Sequence, residues 1–454
     1  MTDMRTGTLA IAMAWAIVPR LAYGYDASGD RASYALDDPV FAQAVHEQAA
    51  AREEVGQALA QRFPRVDARV SFTHKTSVVG AGLHRWATTD VSRDAQSFDP
   101  GFTRKRSLAL SLTLPVIDMP AHYEIQAARA NARVAEARMA AARRDLLFRR
   151  MLAEVMVYRD RERLMLAEES ARAWLALTDL ARLRLEVGLS PVTDVAEAIS
   201  QSAAATTAVI EAKRQWEDSL VQYRLLSGGP SPPDKSHPSL MTALVRPHHR
   251  PAAALIEDAL RHPLLVGAGH EVLASGYRFS AARAAHLPTL RFEASYGVAT
   301  VWTDRAGRSG AGIRHNGRPI VSMMLTLNVP LIAGTAVMSR VQQEAARRSA
   351  KEDALETARR DMVRKVRTAS RKANDGSRLL ESARSAVLAA EAARDAVVRG
   401  FSAGTRSWAD RLGAERRLID ARLADARSRA DLAENNLRLG AMVGDLDTIA
   451  MGEI

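Results

Sequence analysis

The feature that most constrains this chain is that it repeats itself. Asp38-Pro39 opens one helix-like stretch and His262-Pro263 opens another, the two prolines lying 224 residues apart. Each stretch ends before a further proline, Pro64 and Pro288, again 224 apart. Leu114-Pro115-Val116 is then answered by Val329-Pro330-Leu331 after 215 residues, and Val187-Gly188-Leu189 by Ala403-Gly404-Thr405 after 216. Gly228 and Gly444 close the series, also at 216. Five landmarks in one order describe two copies of one supersecondary unit. The separation drops from 224 to 215 between Pro64 and Pro115, which puts a loop there.

The repeat divides the 454 residues into a leader over 1–24, a first unit over 25–228, a Pro-rich linker over 229–261 and a second unit over 262–454. Arg5, the apolar run Leu9 to Val18 and the small residues around Ala22-Tyr23-Gly24 read as a secretory signal. That run is too short for a bilayer-spanning helix, which needs about 20 residues. No later segment is apolar enough to span either, so the mature chain is expected outside the cytoplasm without a transmembrane helix.

Within each unit the period of the pattern changes. His46 to Arg62 is Ala-rich, charged and helical in character. After Pro64, Val66, Ala68, Val70 and Phe72 alternate with Asp67, Arg69, Ser71 and Thr73. Leu108, Leu110, Leu112 and Leu114 alternate with Ser107, Ala109, Ser111 and Thr113. The second unit repeats this with Leu290 to Val298 and with Met323 to Val329. Period 2 means strands, and their length suits the roughly 9–11 residues of a tilted transmembrane strand. Strand hairpins are therefore expected over about 65–114 and 289–329, with polar, glycine-containing loops near His74–Thr103 and Ala299–Arg318. One apolar and one polar face per strand fits an outer-membrane barrel. Four strands cannot close a barrel, and an open edge is not tolerated in lipid, so other copies must complete it.

After Pro115 a helical pattern runs almost unbroken to Gly188, about 70 residues, or on the order of 100 Å. Leu147, Met151, Val155, Tyr158 and Met165 mark a coiled-coil-like seam, matched in the second copy by Leu355, Met362, Val366 and Ala369. Each long helix turns at its glycine and returns to Gly228 or Gly444. A helix of that length projects as a hairpin. The expected fold class is thus an α+β membrane protein with internal duplication: four transmembrane strands per chain and long coiled-coil hairpins.

Composition excludes several functions. There is no cysteine, hence no thiol catalysis, Cys-ligated metal, disulfide or acylated N-terminal cysteine. The net charge of +11 comes from Arg residues scattered among Glu and Asp, which reads as solvated helix surface; with a secretory leader, nucleic acid is not an expected partner. His237, His248 and His249 lie in the Pro-rich linker, where spacing and context do not suit a closed metal site. No nucleophile–base order, phosphate loop or carboxylate pair stands out, so neither an enzyme nor a cofactor is expected. A secreted coiled-coil structural protein would account for the helices and leader but not for four duplicated strands.

The turns can be read physically. Gly188 suits the left-handed position that ends a helix. Ser190 reads as the N-cap of the return helix, with Pro191 at its first position. Thr193 and Asp194 then fall in the first turn, where a carboxylate favours the helix dipole. At the second turn Arg406 and Asp410 are four apart, expected on one helical face.

A strand hairpin, a long helix, a Gly-marked tip and a return helix, all twice, resembles the TolC family of outer-membrane efflux and secretion ducts. The most specific residues are Val187-Gly188-Leu189-Ser190 with Val192-Thr193-Asp194-Val195, and Gly404-Thr405-Arg406 with Asp410 and Leu412. Strand exits at Pro115 and Pro330, taken as strand-to-helix turns, are also similar to the family's. The resemblance implies a homotrimer with a twelve-stranded barrel in the outer membrane of a Gram-negative bacterium and a twelve-helix tunnel in the periplasm. It implies a periplasmic adaptor that meets the tips at Val187, Gly188, Leu189, Ser190, Gly404 and Thr405. It also implies an inner-membrane transporter, of the ABC type rather than a proton-driven pump. The match looks closer to ducts for type I secretion of haemolysin- or cyclolysin-like toxins; the alternative is a multidrug efflux duct. By similarity Asp410 aligns with an aperture carboxylate, and Arg406, Thr193, Asp194 and Phe401 with links that hold neighbouring hairpins closed. Three Asp410 carboxylates around one axis would concentrate cations and raise one another's pKa. Two departures stand out: a second aperture acid falls on Gly413, and an aromatic hydroxyl falls on Phe401.

Overall fold

The computed structural model describes residues 38–77, 101–227, 241–242, 244–245, 250–305, 313–316, 319–331 and 334–446. The leader, Gly228, the three linker histidines, most of the first strand-connecting segment and part of the second lie outside the described residues. The elements, in chain order, are α1 (Pro39–Ala60), β1 (Arg65–Ser77), β2 (Gly101–Ile117), α2 (Met119–Glu186), α3 (Val192–Ser227), α4 (Ala252–Ala259), α5 (Pro263–Ala284), β3 (Thr289–Arg305), β4 (Ile313–Asn316), β5 (Ile320–Asn328), α6 (Gly334–Ser402) and α7 (Trp408–Val443).

Each unit opens with a capped helix. The Asp38 carboxylate accepts from the N–H groups of Val40 and Phe41 at 3.0 and 2.9 Å and pairs with Arg149 at 3.1 Å. Burial pushes this carboxyl up, but the bonds from Phe41, Arg149 and Val40 outweigh it and hold it below the usual carboxylate range. His262 takes the same place at α5, its Nδ1 accepting from the Leu264 N–H at 3.3 Å.

The strands form one antiparallel sheet in which β1 pairs β2, β2 pairs β3, and β3 pairs both β4 and β5. Its register carries the alternating pattern across the β1–β2, β2–β3 and β3–β5 ladders. Val66 faces Leu112, Leu112 faces Ala294 and Ala294 faces Met323; the next row is Ala68, Leu110, Tyr296 and Val321. Phe72, Met323 and Leu325 are 73, 73 and 63% exposed, so the apolar face has no cover among the described residues. The other face is polar: Ser71 and Ser107 share a hydrogen bond at 2.7 Å, and Ser295 and Ser322 another at 2.7 Å. One sheet with a dry face and a wet face is what a lipid-embedded barrel wall requires.

The strands run further than the alternation predicted. β1 continues to Ser77, β2 begins at Gly101, β3 reaches Arg305, and β4 lies inside the expected second loop. Backbone pairing does not depend on side-chain polarity, so the ladder persists where apolar residues stop. β2 also does not turn at Pro115. Proline has no N–H to give the ladder, and the register shifts between Pro115 and Ile117, but pairing resumes at Ile117. The turn comes at Asp118, whose carboxylate caps α2 through the Ala121 N–H at 2.9 Å. Pro330 does lie between β5 and α6.

The long helices lie side by side. α2 has 68 residues and α6 has 69, each on the order of 100 Å. α2 packs on α3 and α7, and α7 packs on α6, giving a row in the order α3, α2, α7, α6. The seam on α2 differs from the one read from sequence. Met151 and Val155 are buried, but Tyr158 and Met165 are 38 and 53% exposed. Beside Met151 and Val155 runs a second buried row, Ala153, Asp160, Ala167, Trp174 and Ala181, spaced by seven. Small residues among them let α3 and α7 both approach, which a bulkier stripe would prevent. The linker is also more than a crossover: Leu255 and Ala259 of α4 are fully buried against Val366 and Ala373 of α6, while Met241 and Leu244 enter the core beside Met151 and Val155.

Candidate functional site

The two hairpins end next to each other, and their turns are built alike. At the first, the Leu189 N–H donates to the Arg184 carbonyl at 2.7 Å and the Gly188 N–H to Leu185 at 3.0 Å. At the second, the Thr405 N–H donates to Gly400 at 2.8 Å and the Gly404 N–H to Phe401 at 3.1 Å. Both are Schellman ends, with φ of 78° at Gly188 and 74° at Gly404, where a side chain would be strained. A β-carbon on Gly400 would lie 2.7 Å from Arg406 Cγ, so the second turn also depends on a bare backbone there.

The return helices begin differently. Ser190 is buried and does not cap backbone; its hydroxyl donates to the Asp194 carboxylate at 2.6 Å, and α3 starts at Val192. Pro191 precedes the helix and accepts from the Asp194 N–H at 3.2 Å. In the second turn Ser407 is the N-cap and forms a full capping box. Its hydroxyl accepts from the Asp410 N–H at 3.1 Å, and the Asp410 carboxylate accepts from the Ser407 N–H at 3.0 Å. Arg406 therefore lies outside α7, and the expected shared helical face with Asp410 is not formed. With Ser407 as the cap, Arg406 and Ser407 both precede the helix, so Arg406 has no helical position from which to share a face with Asp410. Within the chain, the Ser407 hydrogen bonds, with Arg406 and Arg417 nearby, hold the Asp410 carboxyl below its ordinary value. Any like-charge effect on it would have to come from other copies.

Phe401 is the centre of a cluster that the sequence did not reveal. Its ring stands 5.6 Å from that of Trp408, with the Arg184 guanidinium 4.7 Å and the Arg411 guanidinium 5.2 Å from its centroid. Arg184 belongs to the first hairpin and Phe401 to the second, so this stack joins the two tips. Burial lowers the Arg411 pKa, Glu415 raises it, and Arg184 and Arg394 lower it further. Trp408 also packs against Trp174, Leu177 and Val195. Of the expected residues, Thr193, Arg406, Gly404 and Thr405 are exposed at the surface. Val187 and Leu189 are 61 and 66% exposed. Gly413 has open space around it, since an added β-carbon would meet only Arg417 Nη2 at 3.9 Å. Ser407 was legible as a Ser three residues before an acid; the Arg184–Phe401 contact had no local signal.

Comparison with known proteins adds to this geometry. The family model described as "Outer membrane efflux protein" matches residues 33–229 and 255–445. The chain is 27% identical over 398 residues to outer membrane protein TolC of Vibrio cholerae, covering 87% of this chain and 89% of that one. It is 23% identical over 420 residues to TolC of Escherichia coli, covering 91% and 80%. Its fold resembles the solved CmeC outer membrane channel of Campylobacter jejuni with a TM-score of 0.74 at 13% identity, over 91% and 85% of the two chains. The chain belongs to the outer membrane efflux protein family: a channel rather than an enzyme, in the outer membrane of a Gram-negative bacterium with its tunnel in the periplasm, of the kind that works as a trimer with an adaptor and an inner-membrane pump.

Proposed function

We propose that this chain is the outer-membrane duct of a type I secretion system, passing a protein cargo received from an adaptor and an ABC-type transporter. The observation that carries this reading is the absence of cysteine from all 454 residues. The drug-pump branch of the resemblance usually carries an acylated cysteine. In a strain lacking the chain, a protein substrate of a co-expressed ABC transporter should stay inside the cell while sensitivity to small toxic compounds is unchanged. Intact secretion with heightened sensitivity would instead make it a drug-efflux duct.

For the entrance, Val187, Gly188, Leu189, Ser190, Gly404 and Thr405 are assigned to adaptor contact. Exposed apolar side chains at the ends of rigid hairpins support that role, since such a patch wants a partner. Arg406 and Asp410, with Thr193, Asp194 and Phe401, are assigned to the closed aperture. Phe401 has no hydroxyl with which to latch a neighbour, and Gly413 supplies no second acid, so the closed state rests chiefly on exposed ion pairs worth about 0–1 kcal/mol each. Partner binding is enough to break a few of these. Planar-bilayer recordings test the assignment: Arg406→Ser should raise single-channel conductance, and Asp410→Asn, which keeps the cap but not the charge, should weaken cation preference. Unchanged conductance and selectivity in both variants would remove these residues from the gate.

A further inference from the structure

Among the described residues, the helix row leaves two flanks uncovered, the outer faces of α3 and α6. α3 buries Ala198, Ala205, Ala212 and Ser219, spaced by seven, so Ile210, Arg214, Glu217 and Val221 project on its far side. Ile210 is 65% exposed and Val221 54%. α6 buries Val366, Ala373 and Leu380 at the same spacing, which places Arg378 on its far side and Glu381 and Leu388 along one exposed edge, Leu388 being 69% exposed. Along the inner seams charges are paired: Arg422 meets Glu169 at 2.5 Å and Glu391 at 3.0 Å, and Arg429 meets Glu162 at 2.8 Å. On the flanks, Arg214, Glu217, Arg378 and Glu381 are exposed and make no ion pair among the described residues.

The contacts through the row fix the relative height of these four groups. Gln215 of α3 accepts from Arg163 of α2 at 2.6 Å. The adjacent Glu162 holds Arg429 of α7, and Leu432, one turn on, lies 3.2 Å from where a β-carbon of Gly376 in α6 would be. Arg214 and Glu217 therefore straddle the same level on α3 as Arg378 and Glu381 do on α6. The two helices run in opposite directions, α3 away from the tips and α6 towards them. Arg214 is thus level with Glu381, and Glu217 with Arg378.

We propose that α3 of one copy packs against α6 of the next, with Arg214 paired to Glu381, Glu217 paired to Arg378, and Ile210, Val221 and Leu388 flanking them. The reversed order of the two pairs sets the register. A slip of three residues, about 4.5 Å, brings Arg214 opposite Arg378 in one direction and Glu217 opposite Glu381 in the other. Either slip sets like charges together, so neighbouring copies have one favourable height. This rests on the trimeric channel reading.

The chain has no cysteine, so an introduced pair reports without background. The Glu217→Cys, Arg378→Cys double variant should oxidise in the outer membrane to covalent trimers, whereas each single variant and a Glu217→Cys, Ser385→Cys pair should not. Glu217→Arg should lower the temperature at which the trimer dissociates in detergent, and adding Arg378→Glu should restore it. A trimer by sedimentation that neither cross-links nor shows this rescue overturns the register and leaves the channel reading standing. A chain that is monomeric in every form removes the channel reading itself.

Discussion

At the scale of single residues, His262 shows how a cap is made sensitive to acid. It starts α5 by accepting a hydrogen bond on Nδ1, which a protonated ring cannot do. Burial, and then the nearby Arg144, push its pKa down from 6.5 to about 4. A base with a lowered folded pKa binds its proton later than the unfolded chain does. Its contribution to stability is complete above about 6.5 and is lost as pH falls from there towards about 4. His262→Asn replaces the Nδ1 acceptor with an amide oxygen and removes the titration. The variant should lose less thermal stability than the parent between pH 7 and pH 4, by a margin of roughly 2–4 °C in the unfolding midpoint. Equal losses in the two proteins would show that His262 does not set the acid response. The neighbouring cap at α1 should be indifferent over this range, because the Asp38 carboxyl sits below its ordinary value and stays charged.

At the scale of elements, the capping box at the start of α7 and the Schellman turns before it shape the second tip. Ser407→Ala removes the hydroxyl that accepts from the Asp410 N–H and should cost about 1 kcal/mol. Amide exchange over 408–411 should then quicken about fivefold, while Ser407→Thr should leave it near the parent rate. Much at this scale was legible. Prolines and glycines recur because each unit breaks its backbone at the same places, and strand polarity alternates because one face meets lipid. Less legible were features that depend on distant chain. Tyr158 and Met165 look apolar enough for the seam, but the packed face lies two positions on, at Asp160, which pairs with Arg159, and at Ala167. The linker's prolines masked α4, whose burial depends on α6. Phe401 was read for a missing hydroxyl, when its ring is engaged by Arg184 and Arg411, one of them over 200 residues away in sequence.

At the scale of the whole molecule, the sheet assigns one face to lipid and one to the channel interior. Leu325 lies on the apolar face in line with Phe292, and its neighbour Thr326 points the other way beside Arg291. A lysine on the lipid face costs about 2–4 kcal/mol near the midplane. Leu325→Lys should therefore sharply reduce the amount of protein recovered in the outer membrane, and Thr326→Lys should not; equal recovery would mean the faces are exchanged. The strand order has a further consequence. β1 and β5 stand at opposite borders of the sheet, each short of a partner strand among the described residues. Joining two copies satisfies one border of each and leaves the pair with as many open borders as a single copy had. Only the copy that closes the ring removes the last two together. Assembly is consequently weighted towards its last step: the first joining pairs two borders, the closing copy pairs four, and an incomplete barrel stays adhesive at its rims until the circle is complete.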